Sequence, residues 1–439
     1  MTHIFPSFAY GNAPRDGCWW DETATLLSHP ALTGDVSCDV AIVGAGFTGL
    51  SAALHLARRG AQVVVLEAKS VGWGASGRNG GFCCLGGSMR SDAAFDRKYG
   101  VAARRAWRTA ERSAVERVDG LIRELAMDVD RHSAGETCLA HRRRDFAGFG
   151  AEARAASENY GVDVDVLARA DLEGAGLGGP FHGALTIPIG FGLNPRKLLA
   201  GLVTACTALG VKIHDDSPVS DVGTGRVRTV QGAVSADHVI IATNGYSSED
   251  IPAWMAGRYM PAQSTVIVTR PLTDAELQAQ GWTSDQMAYD TRHLLHYFRL
   301  MPDRRFLFGM RGGLRASQSA EHAARTAVVR DFKAMFPAWS DVDVTHEWSG
   351  MVCLSRNRVP FVGPVPNMPG VLAGFAYHGN GVAMGVHAGA LLAALASGER
   401  PDHYPSVMAD PAARFPFGRQ RRLVMPGIYA AFKAADAVP

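Results

Sequence analysis

The chain lacks an excess of charge of either sign. Its 439 residues include 44 lysines and arginines and 42 aspartates and glutamates, which gives a formal net charge of +2. A charge this close to zero produces no field that would recruit nucleic acid or an anionic membrane surface. Small molecules are therefore the expected partners, and no nucleic-acid partner is predicted.

Long apolar runs are also missing. The most apolar stretch, residues 381–397, is interrupted by His387 and by glycines, which indicates a buried Ala/Gly-rich helix and not a membrane span. The first ten residues have neither the basic region nor the apolar region of an export signal. We therefore expect a cytoplasmic protein with no membrane span.

The seven cysteines show no spacing that is typical of a metal site. Their number is odd, and they form neither a CxxC pair nor a zinc-ligand pattern. This usage fits a reducing cytoplasm, and no metal site is predicted. Glycine, in contrast, occurs 49 times. Because glycine is costly inside regular elements, so many copies indicate places where the backbone turns tightly or approaches a ligand.

One segment near the start has the pattern of a βαβ unit. Residues 39–43 form an uninterrupted apolar run of strand length, 50–59 have helical periodicity, and 62–66 form a second apolar strand. The GxGxxG sequence at 44–49 lies between the first strand and the helix. This context predicts a dinucleotide-binding turn.

Each residue of the turn has a separate physical role in this prediction. Gly44 permits the tight turn, Gly46 lets the backbone approach a pyrophosphate, and Gly49 lets the helix pack closely on the strand. The first turn of the helix offers unpaired N–H groups to phosphate. Glu67, at the end of the second strand, would accept hydrogen bonds from the ribose hydroxyls. These residues alone do not separate FAD from NAD.

The loop after Glu67 distinguishes between these cofactors. Residues 72–81 read GWGASGRNGG, and further glycine-containing blocks stand at 347–363 and 377–385. With these blocks the chain resembles the D-amino-acid-oxidase-like FAD-dependent oxidoreductases, which include glycine oxidase and sarcosine oxidase. The loop looks most like the gamma-glutamylputrescine oxidoreductase branch. The resemblance covers almost the whole chain and implies FAD as the cofactor.

The resemblance also implies which residues bind FAD. Serine and asparagine in the loop can donate to phosphate, and arginine can neutralise it. The last helix would point its N-terminus at the flavin, whose reduced anionic form its partial positive charge favours. The implied FAD-binding residues are Gly44, Gly46, Phe47, Thr48, Gly49, Glu67, Ala68, Gly74, Ala75, Ser76, Arg78, Asn79, Gly80, Gly81, Val219, Thr243, Asn244, Gly245, Gly350, Gly379, Asn380, Gly381, Val382 and Ala383.

Three cysteines lie near the implied flavin site. Sarcosine oxidases present a flavin-linking cysteine from the segment that contains Cys353, but the residues around Cys353 lack that motif. Noncovalent FAD is therefore expected. Cys83 and Cys84 follow the glycine-rich loop, and adjacent cysteines are typically small buried residues. We interpret them as buried thiols, with a redox role as the alternative.

Four residues are candidates for the substrate side. Tyr297, Arg299 and Arg311 lie on predicted antiparallel strands that should face the flavin, and arginine is the usual bidentate partner of a carboxylate. His378 is a candidate to polarise the substrate or the flavin, and the alternative is a histidine fixed structurally in the glycine-rich turn. No catalytic triad or carboxylate pair stands out.

The predicted fold class is α/β, with a Rossmann-like FAD-binding domain assembled from discontinuous segments and an antiparallel substrate domain. Short strands at 264–269, 295–300 and 306–310 predict the antiparallel sheet. The predicted boundaries place the FAD-binding domain at 36–90, 165–259 and 345–439, the substrate-binding domain at 91–164 and 260–344, and an N-terminal extension at 1–35.

The resemblance implies oxidation of a carbon–nitrogen bond in a small amine or amino acid. Hydride would pass from the carbon next to the neutral amine to flavin N5, the imine would hydrolyse, and O2 would reoxidise the flavin to give hydrogen peroxide. The alternatives are a dehydrogenase of the same fold that passes electrons to a quinone or carrier, a noncatalytic FAD- or NAD-binding regulatory protein, and an NAD dehydrogenase.

Overall fold

The computed structural model describes residues 1–437 as two large sheets with helices packed against them. The strands are β1 (Val36–Val43), β2 (Val63–Leu66), β3 (Phe82–Cys83), β4 (Glu136–Leu139), β5 (Asp165–Ala168), β6 (Gly183–Ile187), β7 (Phe191–Gly192), β8 (Lys212–His214), β9 (Asp221–Gly223), β10 (Arg226–Arg228), β11 (Ala233–Ile241), β12 (Met260–Pro271), β13 (Met287–Asp290), β14 (His296–Leu300), β15 (Arg305–Arg311), β16 (Val344–Leu354), β17 (Phe361–Pro364) and β18 (Val371–Phe375). The helices are α1 (Phe47–Ala57), α2 (Asp92–Tyr99), α3 (Val101–Glu124), α4 (Arg143–Tyr160), α5 (Pro195–Ala208), α6 (Asp274–Gln280), α7 (Gln318–Met335), α8 (Ala383–Ala396), α9 (Ser406–Ala409) and α10 (Met425–Ala437).

The first sheet is mainly parallel. Its strand order is β17-β18-β11-β1-β2-β8, with β10 attached to β11 and β9 to β10, and the strands from β18 to β8 run in the same direction. The carboxyl ends of β1, β2 and β11 meet at one edge, where Val43 pairs with both Leu66 and Ile241. Ligands of open parallel sheets bind at this edge.

Helices α1 and α8 cover one face of this sheet. Thirteen of the fourteen residues of α8 are buried, including His387. The two helices approach so closely that a Cβ on Gly389 would overlap the carbonyl oxygen of Thr48. The buried Ala/Gly-rich helix predicted from residues 381–397 is thereby confirmed. Within residues 1–437, no helix has both the length and the apolar character needed to cross a membrane.

The second sheet has the strand order β16-β12-β15-β14-β13-β4-β6-β5. Its neighbouring strands are antiparallel except for β4 and β13, which run parallel. One face packs with α7 around an aromatic core that includes Trp282, Phe298, Phe306 and Trp339. The antiparallel sheet predicted from the three short strands is therefore present, and its other face is free to border a ligand cavity.

The sheets do not follow the predicted domain boundaries at two places. Strands β5 and β6, which lie within 165–259, and strand β16, at the start of 345–439, belong to the second sheet. Strand β6 pairs with β4 and β5, and β16 pairs with β12, so long-range ladders fix their membership. We propose a domain division that follows the sheets and assigns 165–187 and 344–354 to the second domain.

Candidate functional site

A glycine turn joins β1 to α1, as predicted. Gly44 has a φ of +105°, and a Cβ there would lie 2.9 Å from the carbonyl oxygen of Ala242. A Cβ on Gly49 would overlap the carbonyl oxygen of Gly44. A Cβ on Gly46 would lie 2.8 Å from Ser76 Oγ. The first and last glycines thus allow the turn and its close packing, and Gly46 leaves space beside the loop that contains Ser76.

Glu67 lies at the carboxyl end of β2, next to this turn. Its Oε2 accepts a hydrogen bond from Ala45 N at 2.9 Å, and its Oε1 accepts one from Lys69 N at 3.0 Å. Burial raises the pKa of the Glu67 carboxyl, although these two backbone donors act in the opposite direction. The backbone therefore fixes the orientation of a carboxyl group at the edge where the parallel strands end.

The loop 72–81 is held by its own polar groups. Ser76 Oγ accepts a hydrogen bond from Phe47 N at 3.0 Å, and so ties the loop to the start of α1. Asn79 Nδ2 donates to Ser76 O at 2.8 Å, and Asn79 Oδ1 accepts from Gly81 N at 2.8 Å. The amide of Asn79 therefore braces the loop, whereas the hydroxyl hydrogen of Ser76 remains available to a phosphate.

Arg78 is a buried cation without an ion-pair partner among residues 1–437. Its Nε donates to Trp73 O at 2.8 Å and its Nη1 to Ser349 O at 3.3 Å, but its Nη2 has no hydrogen-bond partner. The guanidinium stacks 4.1 Å from the ring centroid of Trp73. Burial lowers the pKa of Arg78. Because unpaired buried donors are rare in folded proteins, this side chain indicates a site for an anion.

The turn between β18 and α8 borders the same region. Gly379 has a φ of +109°, and no side chain caps the N-terminus of α8. Asn380 Nδ2 donates to Leu85 O at 2.6 Å, which joins this turn to the segment after the glycine-rich loop. The N-terminal end of α8 thus offers its partial positive charge to the cavity.

A cavity of about 610 Å³ extends from the edge of the first sheet to the free face of the second. Most of the predicted cofactor residues line it, but Gly49, Gly81, Gly245 and Ala383 do not. On the substrate side, Tyr297, Arg311 and His378 line it and Arg299 does not. The predicted cofactor residues in its wall are Gly44, Gly46, Phe47, Thr48, Glu67, Ala68, Gly74, Ala75, Ser76, Arg78, Asn79, Gly80, Val219, Thr243, Asn244, Gly350, Gly379, Asn380, Gly381 and Val382.

Arg299 lies behind the cavity wall. Its Nε donates to Gly80 O at 3.0 Å, its Nη2 donates to Leu193 O at 2.8 Å, and its Nη1 lies 2.6 Å from His132 Nε2. Burial lowers the pKa of the Arg299 guanidinium to about 9. With all its nitrogens occupied, Arg299 braces the glycine-rich loop and is not placed to bind a substrate.

His378 is fixed by both of its ring nitrogens. Nδ1 lies 2.8 Å from Gly87 O, and Nε2 accepts a hydrogen bond from Ser355 N at 3.1 Å. This pattern requires the Nδ1–H tautomer. Burial lowers the pKa of His378 to about 4, so the ring is neutral at pH 7. The geometry therefore supports the alternative interpretation, in which His378 is fixed structurally in the glycine-rich turn.

Tyr297 and Arg311 face the cavity from β14 and β15. Tyr297 Oη lies 2.9 Å from Ser264 Oγ, and the Tyr297 ring borders Gly80. Arg311 Nη2 donates to His378 O at 3.2 Å, and Arg311 has no acidic partner among residues 1–437. Burial lowers the pKa of Arg311. Arg311 is therefore a cation in the cavity wall that is free to bind an anionic group.

Several residues of the cavity wall were not predicted. Glu136 and Tyr289 come from β4 and β13, and Cys84 comes from the segment after β3. Glu136 lies in the sequence Gly-Glu-Thr-Cys, which has no motif that would mark it, so only the pairing of β4 with β13 reveals its position. Met1, His3 and Tyr10 also line the cavity, although the N-terminal extension was given no role.

The three cysteines near the cavity are free and buried. Burial raises the pKa of Cys353 to about 12, and it raises the pKa of Cys83 and Cys84 as well. A thiol is a poor nucleophile in this state, which favours the interpretation of all three as buried, unreactive groups. Among residues 1–437, no group of three or more His, Cys, Asp or Glu side chains could hold a metal ion.

A comparison with protein families matches residues 39–395 to the family described as FAD dependent oxidoreductase, or DAO. The chain belongs to this family. The match includes the glycine turn, Glu67, the loop 72–81 and the turn before α8, so the resemblance predicted from these motifs is confirmed. Membership also makes FAD, and not NAD, the cofactor to be tested against the site.

Two curated relatives match nearly the full length of this FAD-dependent oxidoreductase. Gamma-glutamylputrescine oxidoreductase of Escherichia coli is 31% identical over 407 residues, which are 91% of this chain and 93% of that protein. A probable oxidoreductase, OrdL, of Haemophilus influenzae is 30% identical over 400 residues, or 88% of this chain and 89% of that protein.

Solved structures of two oxidases share the fold. Glycine oxidase from Geobacillus kaustophilus superposes with a TM-score of 0.69 at 18% identity, covering 85% of this chain and 98% of that one. Iminodiacetate oxidase from Chelativorans gives a TM-score of 0.68 at 21% identity, covering 83% and 96%. The overall fold of this chain is thus that of these two oxidases.

The residues of the cavity fit FAD. The unpaired Nη2 of Arg78 and the space in front of Gly46 suit the pyrophosphate, and the fixed carboxyl of Glu67 suits the ribose. The turn at Gly379 and the uncapped start of α8 lie where the cavity meets the second sheet, which suits the flavin ring. The dinucleotide would therefore extend along the cavity toward Tyr297 and Arg311.

Proposed function

We propose that the protein oxidises a carbon–nitrogen bond of a small amine or amino acid, with O2 as the electron acceptor. The observation that supports this most strongly is Arg311, a partly buried cation without an acidic partner among residues 1–437, on the face of the second sheet that borders the cavity. Arginine binds carboxylates in a planar, bidentate manner. Arg311 would thus hold the carboxylate of an amino-acid substrate.

The groups around the cavity favour a neutral amine. FAD supplies the hydride acceptor of its flavin ring and the route by which electrons reach O2 to form hydrogen peroxide. Phe82, Leu295 and Tyr297 line the cavity with apolar and aromatic surface, which would exclude water from a bound substrate, and desolvation lowers the pKa of an amine. His378 is held by two hydrogen bonds, so it does not act as a general base. The amine would therefore lose its proton on binding.

The relatives support an amine substrate. Gamma-glutamylputrescine, glycine and iminodiacetate, which appear in the names of three of them, are all compounds that contain an amine. The alternatives are a dehydrogenase that passes electrons to a quinone or carrier, and a noncatalytic regulatory protein. The second is disfavoured because a regulator would have no need of a cavity that continues beyond the dinucleotide site to Arg311.

Anaerobic bleaching of the bound flavin tests the proposed reaction. The purified protein, yellow with FAD that acid precipitation releases, is mixed with amines, D- and L-amino acids, N-methyl amino acids and gamma-glutamyl polyamines. At least one amine should bleach the flavin, and faster as the pH rises through the pKa of the bound amine. Rapid recolouring with peroxide on admission of air identifies an oxidase, and slow recolouring a dehydrogenase. Bleaching by hydroxy acids or sugars alone would contradict the proposal.

Arg311→Met tests the role of the arginine. It should raise KM for a carboxylated amine about tenfold or more and change kcat little, because the lost contact is made equally in the ground state and the transition state. Arg315→Met is the matched control, since Arg315 is exposed and does not line the cavity. An effect of Arg311→Met confined to kcat would show that Arg311 does not anchor the substrate.

A further inference from the structure

Glu136 is a buried carboxyl in the wall of the cavity. Its side chain is only 6% exposed, and it lines the same cavity as Arg311. Among residues 1–437, its carboxyl group has no lysine, arginine or histidine partner, and the Cys84 thiol is the side chain that reaches it. A buried carboxylate is costly unless it is paired with a cation. Glu136 can therefore ionise at little cost only when a cationic ligand enters the cavity.

The strand register places Glu136 and Arg311 at opposite sides of the cavity face. Tyr289 pairs with Tyr297, and Tyr297 pairs with Gly309, two residues before Arg311, so that these side chains share one face of the sheet. Glu136 lies on β4, three strands away from β15 in the order β15-β14-β13-β4. Three strand spacings correspond to roughly 14 Å across the sheet. The register adds four residues, or roughly 13 Å, along the strands, because Glu136 lies level with Leu307. A carboxyl and a guanidinium thus face one cavity from separate positions, with two tyrosines between them.

We propose that Glu136 binds an alkylammonium group of the substrate that is remote from the carboxylate held by Arg311. This inference deepens the proposed function and rests on it for the role of Arg311. The substrate class is then an elongated compound that carries, besides the neutral amine to be oxidised, a carboxylate at one end and an ammonium group at the other. Tyr289 and Tyr297 would contact the aliphatic chain between these groups.

The electrostatic surroundings of Glu136 favour this assignment. Burial raises the pKa of its carboxyl to about 8, and the charge of Glu111 on α3 acts in the same direction. The free carboxyl is therefore mostly protonated at pH 7, and an arriving ammonium group would favour the ionised form. Binding should then release close to one proton. No cation is among the titratable groups that interact with Glu136, which are Cys83, Cys84, Glu111, Cys138 and Tyr289.

Calorimetric titration of the FAD-containing enzyme under nitrogen tests the inference. The probes are 6-aminohexanoate and hexanoate, which differ in the ammonium group. The enzyme should bind 6-aminohexanoate about tenfold or more tightly than hexanoate, which corresponds to about 1.4 kcal/mol or more. In two buffers of different ionisation enthalpy at pH 7, only the amino compound should release a proton. Titrations of 4-aminobutanoate and 8-aminooctanoate then give the preferred chain length.

Glu136→Gln is the decisive variant. It should remove the preference for 6-aminohexanoate and the proton release, while hexanoate still binds within about twofold of the original affinity. Glu116→Gln is the matched control, because it makes the same substitution at an exposed position of α3 outside the cavity. The FAD content and melting temperature of both variants show whether the fold is intact.

Other outcomes would overturn the inference. Equal binding of the two probes by the original enzyme, absence of 6-aminohexanoate binding, or an unchanged preference in Glu136→Gln would each show that Glu136 holds no ammonium group. Failure of the proposed function is distinguishable. In that case no amine bleaches the flavin, yet the probe preference and its loss in Glu136→Gln are still measured.

Discussion

At the scale of single residues, Gly46 is the position where the cofactor and the protein compete for the same space. A branched side chain there would meet Ser76 Oγ and occupy the room that the pyrophosphate needs. We expect Gly46→Val to abolish FAD retention without unfolding the chain, as measured by flavin absorbance and circular dichroism. Gly120→Val is the control, because a Cβ on Gly120 in α3 meets nothing within 4 Å. Full FAD content in Gly46→Val would place the phosphate site elsewhere.

Arg78 allows a second prediction, in which stability and binding change in opposite directions. Its unpaired, buried guanidinium is costly in the apoprotein but favourable once a phosphate is bound. Arg78→Met should therefore weaken FAD binding about tenfold or more, while the apoprotein is as stable as the original or more stable. Fluorescence titration of apoprotein with FAD and thermal melting measure the two quantities. A destabilised apoprotein with normal FAD affinity would mean that Arg78 serves only the fold.

At the scale of elements, the N-terminal segment (residues 1–35) forms an outer brace for the glycine-rich loop. Pro14 O accepts a hydrogen bond from Ser349 N at 2.7 Å, Arg15 Nη1 donates to Trp73 O at 2.9 Å, and Trp20 Nε1 donates to Asn79 O at 2.8 Å. Tyr10 also lines the cavity. The segment therefore braces, from the outside, the loop that is proposed to bind FAD.

Removal of residues 1–16 should accelerate FAD release about tenfold or more, because it removes Tyr10, Pro14 and Arg15 together. The rise of flavin fluorescence after dilution measures the rate. The single variant Arg15→Met should have an intermediate effect, since about 1 kcal/mol is typical for the loss of a buried hydrogen bond. An unchanged release rate in the truncated chain, with normal secondary structure, would show that the segment does not retain the cofactor.

At the scale of the whole molecule, buried histidines determine how stability depends on pH. Burial lowers the pKa of His55 and His378 to about 4 and that of His132 and His387 to about 3. These rings stay neutral in the folded state but gain protons near pH 6.5 in the unfolded state. Their stabilising contribution is therefore present above pH 6.5 and is lost as the pH falls toward 4.

Two carboxyls with raised pKa values act in the opposite sense over this range. The pKa values of Glu67 and Glu136 are raised, so the folded state retains protons there that the unfolded state has lost. Over this range the unfolded state binds about four more protons at the histidines, and the folded state binds one or two more at the carboxyls. The net difference of two to three protons makes the free energy of unfolding fall by about 3–4 kcal/mol for each pH unit. Urea denaturation between pH 6.5 and 4.5 measures this slope. His387→Gln should reduce it by about one proton, and an equal slope in that variant would contradict the assignment.

The amino-acid sequence by itself determined the local parts of the cofactor site. The alternation of apolar runs with glycine turns predicts β1, α1 and β2, and the roles of Gly44 and Gly49 follow from backbone geometry within one turn. Glu67 and the loop 72–81 are adjacent in the chain to this unit. Their positions could be predicted because neighbours in sequence must remain neighbours in space.

Only the tertiary structure decided the substrate side. Tyr297 and Arg299 are two residues apart on β14 and therefore lie on the same face of the strand. Arg299 nevertheless lies beneath Gly80 and Leu193, whose carbonyl oxygens accept its hydrogen bonds. Glu136 reaches the cavity because β4 pairs with β13, a contact between segments about 150 residues apart. Local periodicity carries no information on such pairings. The placement of Arg311, Glu136 and Arg299 therefore follows from strand register and from the loops that pack above it.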